Sequence, residues 1–340
     1  MSKENTAWFK EAKYGVFLHY LAATHYQIMK GKKLPDAAEW NRRVEAVDVE
    51  ALARSIADTG AGYALITVGQ SIPHHCSPNA VYQGLTGRTE KYCSERDLIA
   101  DLAAAMEKQG IRLMVYYHGI PPSHDPDTVK AMNAEVFLEA HKKWMEYVLK
   151  REDPTKDPIV STVAEKLGEF RKIHLDIMRE WSDRWGKSVH GWWIDGCSPA
   201  YRLWDLEDEL NYSDFAAALK SGNKESIVAF NPQVFDELKP RTEYEDYIAG
   251  EFNWDFPVDS EMFPITAKAA GKQTHITTFL GRHWRIGPSR FSDDFIAGYT
   301  KHLSDSGTVI TWDVPIGDDG RIPEEFLRKL SAASRAAGKL

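Results

Sequence analysis

Seven short runs of apolar, β-branched and aromatic residues recur along the chain: YGVFLHY (14–20), GYALITVG (62–69), IRLMVYYHG (111–119), GWWIDG (191–196), SIVAFN (226–231), THITTFL (274–280) and TVITWDV (308–314). Near-continuous hydrophobic runs of this length are those of strands buried on both faces of a parallel sheet. Between them lie VDVEALARSIADTGA, SERDLIADLAAAMEKQG and SDDFIAGYTKHLSDSG, each with a Ser or Asp cap near its start, helical apolar spacing and a glycine near its close. Strand and helix therefore alternate, which requires crossover connections. With seven or eight such strands in 340 residues, and no GxGxxG or Walker loop after any of them, the pattern predicts a (β/α)8-like barrel of the TIM type, irregular in places, rather than an open doubly wound sheet. The stretch 120–165, with PPSHDPD and REDPTKDP around a helical middle, reads as a helical excursion after the third strand of a single domain spanning 1–340.

Charge and cysteine usage narrow the function. A formal charge of -8 without any Lys/Arg block argues against a grip on nucleic acid or on an anionic membrane. Cys76, Cys93 and Cys197 form neither a disulfide framework nor a CxxC knuckle and read as reduced thiols. The opening MSKENTAWFKEAKYG has no apolar core of a signal peptide, and no stretch reaches the length of a membrane span, so a cytoplasmic protein is expected. The expected partner is a small uncharged molecule, with self-association left open.

In a (β/α)-barrel the site is assembled from residues at the carboxyl ends of strands. Here these are His19 and Tyr20, Gln70, His118, Asp195, Asn231, His275 within the sixth run, and Asp313 beside Trp312. Trp192, Trp193, Trp204, Trp254 and Trp284 lie in or near the same tips. Rings beside hydrogen-bonding side chains suit a sugar, which has an apolar face and a rim of hydroxyls. Taken singly, each His or Trp reads more readily as a satisfied core or rim residue; only the recurrence across strands carries the functional reading. Asp195 follows the rigid β-favouring GWWI and precedes Gly196, an arrangement that serves either a strand cap or a held carboxylate.

Several motifs resemble the α-L-fucosidases of glycoside hydrolase family 29. WFKEAKYGVFLHY is similar to their WFxxAKFGIFIHWG opening, and GWWIDG to the strand that ends in their nucleophile. SIVAFN followed by DYIAGE (246–251) is similar to VxxN followed by DYxTPE, and the stretch from SDDFIAGYTKHLSDSG through TVITWDVPIGDDGRIPEEF to the family's closing helix, strand and loop. The resemblance covers nearly all of 7–335. It implies a barrel catalytic domain without cofactor or metal, acting as a retaining exo-glycosidase on a terminal fucose or related 6-deoxy sugar of a small glycoside, with Asp195 as nucleophile. A retaining reaction needs a second, protonated carboxyl about 5–5.5 Å from the first.

Departures from the family pattern alter the remaining roles. VGQSIP stands where the family has KHHDGF, so Gly69 and Gln70 replace two sugar-contacting histidines, and His74 and His75 nearby are candidates to fill that space. The family's acid/base glutamate, in WExxxxxxxxW, aligns with His275, whereas its second tryptophan persists as Trp284. Glu251, Glu243 or Glu245, and His275 are therefore the candidate proton donors, with Glu251 first, because burial and Asp195 can raise its pKa. His275 qualifies because imidazole titrates near neutrality. Two other functions compete. One is a metal-assisted hydrolase or isomerase using His19, His74, His118 or His275 with Asp195, although no HxH or HExxH spacing supports it. The other is a degenerate barrel that binds sugar without cleaving it.

Overall fold

The computed structural model describes residues 5–150, 152–153, 156–207, 209–233, 238–254, 256 and 270–340, less the side chains of 25, 26, 148, 149 and 161. All seven apolar runs form strands: β1 (Tyr14–Leu18), β2 (Tyr63–Thr67), β3 (Arg112–His118), β4 (Val189–Asp195), β5 (Ile227–Phe230), β6 (His275–Phe279) and β7 (Val309–Val314). They pair in parallel in the order β5-β4-β3-β2-β1-β7-β6. Three of the connecting helices start where the sequence placed caps. The carboxylates of Asp48 and Asp97 and the hydroxyl of Ser292 accept from the backbone N–H of Ala51, Ala100 and Phe295, relieving the unpaired amides of each first turn. Helices Pro126–Ala131 and Glu135–Lys150 lie between β3 and β4, ahead of the long helix Gly168–Trp185.

Side-chain alternation along the strands sorts the core into two clusters. Phe17, Leu65, Met114, Tyr116, Trp193 and Ala229 pack inside the curl of the sheet. Their neighbours Val16, Ile66, Val115, Tyr117, Trp192 and Phe230 belong to the cluster beneath the helices. A sheet with dense apolar packing on both faces must be covered on both, which the helices do outside and the curl does inside. The same period puts Trp192 outward and Trp193 inward, and brings Asp195, two residues on, to the inner side.

Where a closed barrel is expected, the described residues form a curled seven-stranded half-barrel sheet, with an irregular segment, Asp246–Phe252, lying between β5 and β6. Asp246 N donates to Val228 O at 2.8 Å, while Ile248 N donates to Gln273 O and Phe252 N to Thr277 O. Toward β5 the Asp246 carboxylate takes over as acceptor, from Val228 N at 2.9 Å. Gly250 sits in the left-handed region at φ 62°, and a Cβ there would lie 1.9 Å from His275 O. Only glycine lets this segment pass so close to β6, and the next residue is Glu251.

Candidate active site

A cavity of about 280 Å³ opens at the carboxyl ends of the strands, lined by Phe17, His19, Thr24, Met29, Gln70, Tyr116, Trp193, Asp195, Glu251, His283 and Trp284. Phe17, Tyr116 and Trp193 are inward aromatic residues near the carboxyl ends of β1, β3 and β4, and Tyr116 stacks on Trp193 with ring centroids 5.3 Å apart.

Asp195 is held by three donors. Its Oδ1 accepts from Gly196 N at 2.8 Å and from Asn231 Nδ2 at 2.9 Å, and its Oδ2 accepts from the Tyr116 hydroxyl at 2.6 Å. Gln70 Nε2 in turn donates to the Tyr116 oxygen. Burial and the Asp195 charge keep the Tyr116 phenol well above its ordinary pKa, so it stays a donor.

Asn231 Nδ2 also donates to Glu251 Oε2, at 2.6 Å. The two bonds of 2.9 and 2.6 Å meet on one nitrogen, so Asp195 Oδ1 and Glu251 Oε2 lie no more than about 5.5 Å apart. Desolvation in the cavity wall and the neighbouring Asp195 charge raise the Glu251 carboxyl from 4.5 to about 8, against the lowering effect of bonds from Asn231 and Asn253. Two carboxyls thus share one donor, and Glu251 keeps its proton at neutral pH.

On the opposite wall, His19 Nδ1 donates to Asp313 Oδ1 at 2.6 Å, and Asp313 Oδ2 accepts from Arg285 N at 2.7 Å. This fixes the His19 ring and leaves its Nε2 for a ligand hydroxyl. Trp284 donates its indole N–H to Asn253 Oδ1 at 3.1 Å, and His283 Nδ1 accepts from Trp284 N at 3.0 Å. Among the described residues, no group of three or more His, Cys, Asp or Glu side chains is arranged to hold a metal ion. None of their helices is long and apolar enough to cross a membrane.

Among the residues singled out in the sequence, His19, Gln70, Trp193, Asp195, Glu251 and Trp284 line the cavity, and Asn231 joins two of them. Others lie elsewhere. His275 is the first residue of β6, at the amino end of the sheet, packed against Phe9 and Tyr247. Its Nδ1–H donates to the carbonyls of Ile248 and Ala249, its Nε2 accepts from Thr311 Oγ1, and burial lowers its pKa to about 3. It is a neutral core histidine at the far end from the carboxylates, so it is excluded as proton donor. His118 donates to Ile120 O and accepts from Ser71 N, bracing the loops behind the site rather than facing it. His74 donates to Pro35 O beneath Trp40 and Tyr92, and Tyr20 donates to Asp318 O against Trp40. Glu245 is fully buried, accepting from Phe230 N and Arg241 N, and exposed Glu243 is absent from the lining. Trp192 and Trp204 are core residues, and Trp254 projects into solvent outside the cavity.

Tyr116 went unnoticed in the sequence, although the period of two in IRLMVYYHG marks it as inward at a strand end. Thr24, Met29 and His283 lie outside the apolar runs, and no local pattern points to them.

No protein-family model matches the chain, and no curated protein matches it. Solved structures do. The endo-fucoidan hydrolase P5AFcnA from glycoside hydrolase family 107 superposes with a TM-score of 0.64 at 14% identity, over 97% of this chain and 92% of that one. The α-L-fucosidase AlfC from Lactobacillus casei, in complex with α-L-fucose, does so with a TM-score of 0.57 at 15% identity, over 99% and 98%. The chain shares its fold with these two hydrolases. At such identities the likeness is one of fold, and it extends over nearly the whole chain.

Proposed function

We propose that the protein is a retaining exo-glycosidase that removes a terminal fucose or related 6-deoxy sugar from a small glycoside. The observation that carries this reading is the pair of unlike carboxyls on one amide nitrogen. Asp195 accepts from three donors that hold it in place, whereas Glu251 is driven to keep its proton. The oxygens Asp195 Oδ1 and Glu251 Oε2 lie at most about 5.5 Å apart, which supports direct attack over the wider spacing of about 6.5–9.5 Å between carboxyls that an inverting enzyme needs for its water.

In the first half-reaction Asp195 Oδ2, which accepts from the Tyr116 hydroxyl, attacks the anomeric carbon. The bond from that carbon to the leaving oxygen breaks, and Glu251 delivers its proton to that oxygen. In the second half, the Glu251 carboxylate takes a proton from water as the water oxygen attacks the anomeric carbon and releases Asp195. Trp193 and Trp284 supply apolar walls for the ring, and His19 and Gln70 polar groups for its hydroxyls. The lining contains no Lys or Arg among the described residues and two carboxyls, which favours an uncharged sugar.

Chemical rescue tests this. Asp195→Gly is expected to lose turnover of an aryl α-L-fucoside by on the order of 10⁴-fold and to regain it with azide, forming the inverted β-fucosyl azide. Turnover of Asp195→Gly at the parent rate without azide would make Asp195 a strand cap. A wild-type protein that binds fucose but cleaves no fucoside would favour the sugar-binding barrel instead.

A further inference from the structure

Trp254 is an anomaly. Its ring neighbour Phe279 is buried, yet Trp254 is 67% exposed, just three residues beyond Glu251. An isolated exposed indole needs no explanation, but this one is built in. The Arg290 guanidinium lies 5.4 Å from its ring centroid and 3.7 Å from that of Phe279. The same guanidinium donates to Asn253 O at 2.6 Å, to Phe279 O at 2.9 Å and to Thr278 Oγ1 at 3.0 Å. The backbone beside Trp254 is thereby tied to the end of β6. Phe279 also meets Trp254 edge-on at 5.7 Å and packs against the cavity residue Trp284 at 4.9 Å. An aromatic path therefore runs from the cavity wall to the surface, and its last ring is largely exposed.

We infer that Trp254 is the platform on which the leaving-group sugar stacks. This rests on the reading of Glu251 as proton donor. A general acid must lie beside the leaving oxygen, so the group attached to that oxygen occupies Glu251's side of the cavity mouth. Three residues of chain span at most about 10 Å, which sets Trp254 within reach of a ring bonded to that oxygen. An indole presents a flat apolar face to the C–H face of a pyranose while the hydroxyl rim stays in water. The terminal sugar is recognised inside the cavity and the leaving sugar on this ring, so the protein selects for a ring-bearing aglycone over a small one.

The test compares Trp254→Ala and Trp254→Phe with wild type on an α-L-fucosyl disaccharide, 4-nitrophenyl α-L-fucoside and α-L-fucosyl fluoride, whose leaving group has no ring. Expected for Trp254→Ala is a three- to tenfold fall in the ratio of kcat/KM on the disaccharide to that on the fluoride, on the order of one stacked ring, carried mainly by KM. Trp254→Phe is expected to recover most of the ratio. An unmoved ratio in Trp254→Ala, or one that Trp254→Phe fails to recover, overturns the inference and leaves the function standing. Wild-type protein that cleaves none of the three overturns the function, and the inference with it.

Discussion

Replacing Glu251 by glutamine isolates the proton it is proposed to deliver. With its carboxyl raised to about 8, about nine in ten Glu251 side chains are protonated at pH 7, against about three in a thousand at the ordinary value of 4.5. The environment thus enriches the competent acid about 300-fold. Glutamine keeps an oxygen acceptor for Asn231 Nδ2, so the placement of Asp195 survives the change. On a fucosyl disaccharide, whose leaving alkoxide needs protonation, kcat/KM is expected to fall by about 10²- to 10⁴-fold, or about 3 to 5.5 kcal/mol of transition-state stabilisation. An activated aryl fucoside needs little proton assistance and is expected to lose far less. The pH profile gives a second readout. The acid works while protonated, so wild-type kcat/KM on the disaccharide holds below pH 8 and declines as pH rises through about 8, and this decline is absent from the variant. A Glu251→Gln protein that kept the disaccharide rate, or kept the decline near pH 8, would refute Glu251 as donor and turn attention to His19 and His283, the two histidines of the cavity lining.

Tyr116→Phe removes a 2.6 Å bond to an ionised acceptor, worth about 1.5 to 3 kcal/mol; kcat/KM is expected to drop about 10- to 100-fold, and wild-type rates in a variant with an unchanged melting curve would sink the assigned role. His275→Ala is expected to lower unfolding free energy by about 2 to 4 kcal/mol at pH 7, because it empties a hydrogen-bonded core position, while the ratio of disaccharide to aryl-fucoside rates stays that of wild type. The pH dependence of this deficit follows from the sign of linkage. The folded-state pKa is lowered to about 3, so the wild-type histidine favours the folded state above about 6.5 and progressively less as pH falls toward 3. Urea titrations should therefore show the gap between wild type and His275→Ala narrowing from pH 7 to pH 5, and a gap that widened would overturn the neutral buried assignment.

The chain's local chemistry was enough to locate the elements. All seven apolar runs became strands, and the caps Asp48, Asp97 and Ser292 bind the amides expected of them, because hydrophobic run length and capping act over a few residues. Asp195 was legible as a strand-end acid for the same reason, and Trp193 and Trp192 were separable by the period of two. What sequence position could not decide was which end of a strand, or which side of a loop, each polar group occupies. His275 lies in an apolar run as His118 does, yet one opens its strand at the amino end and the other closes its strand braced by Ser71 and Ile120. Glu243, Glu245 and Glu251 share one loop, and only the passage of Gly250 against β6, closer than any side chain allows, turns Glu251 rather than the others toward Asn231. Titration behaviour follows the same division. A carboxylate's identity is written in the chain, but the burial that desolvates Glu251 and the Asp195 charge that helps hold it protonated, 56 positions away, meet it only when the sheet curls, against the opposing bond from Asn231.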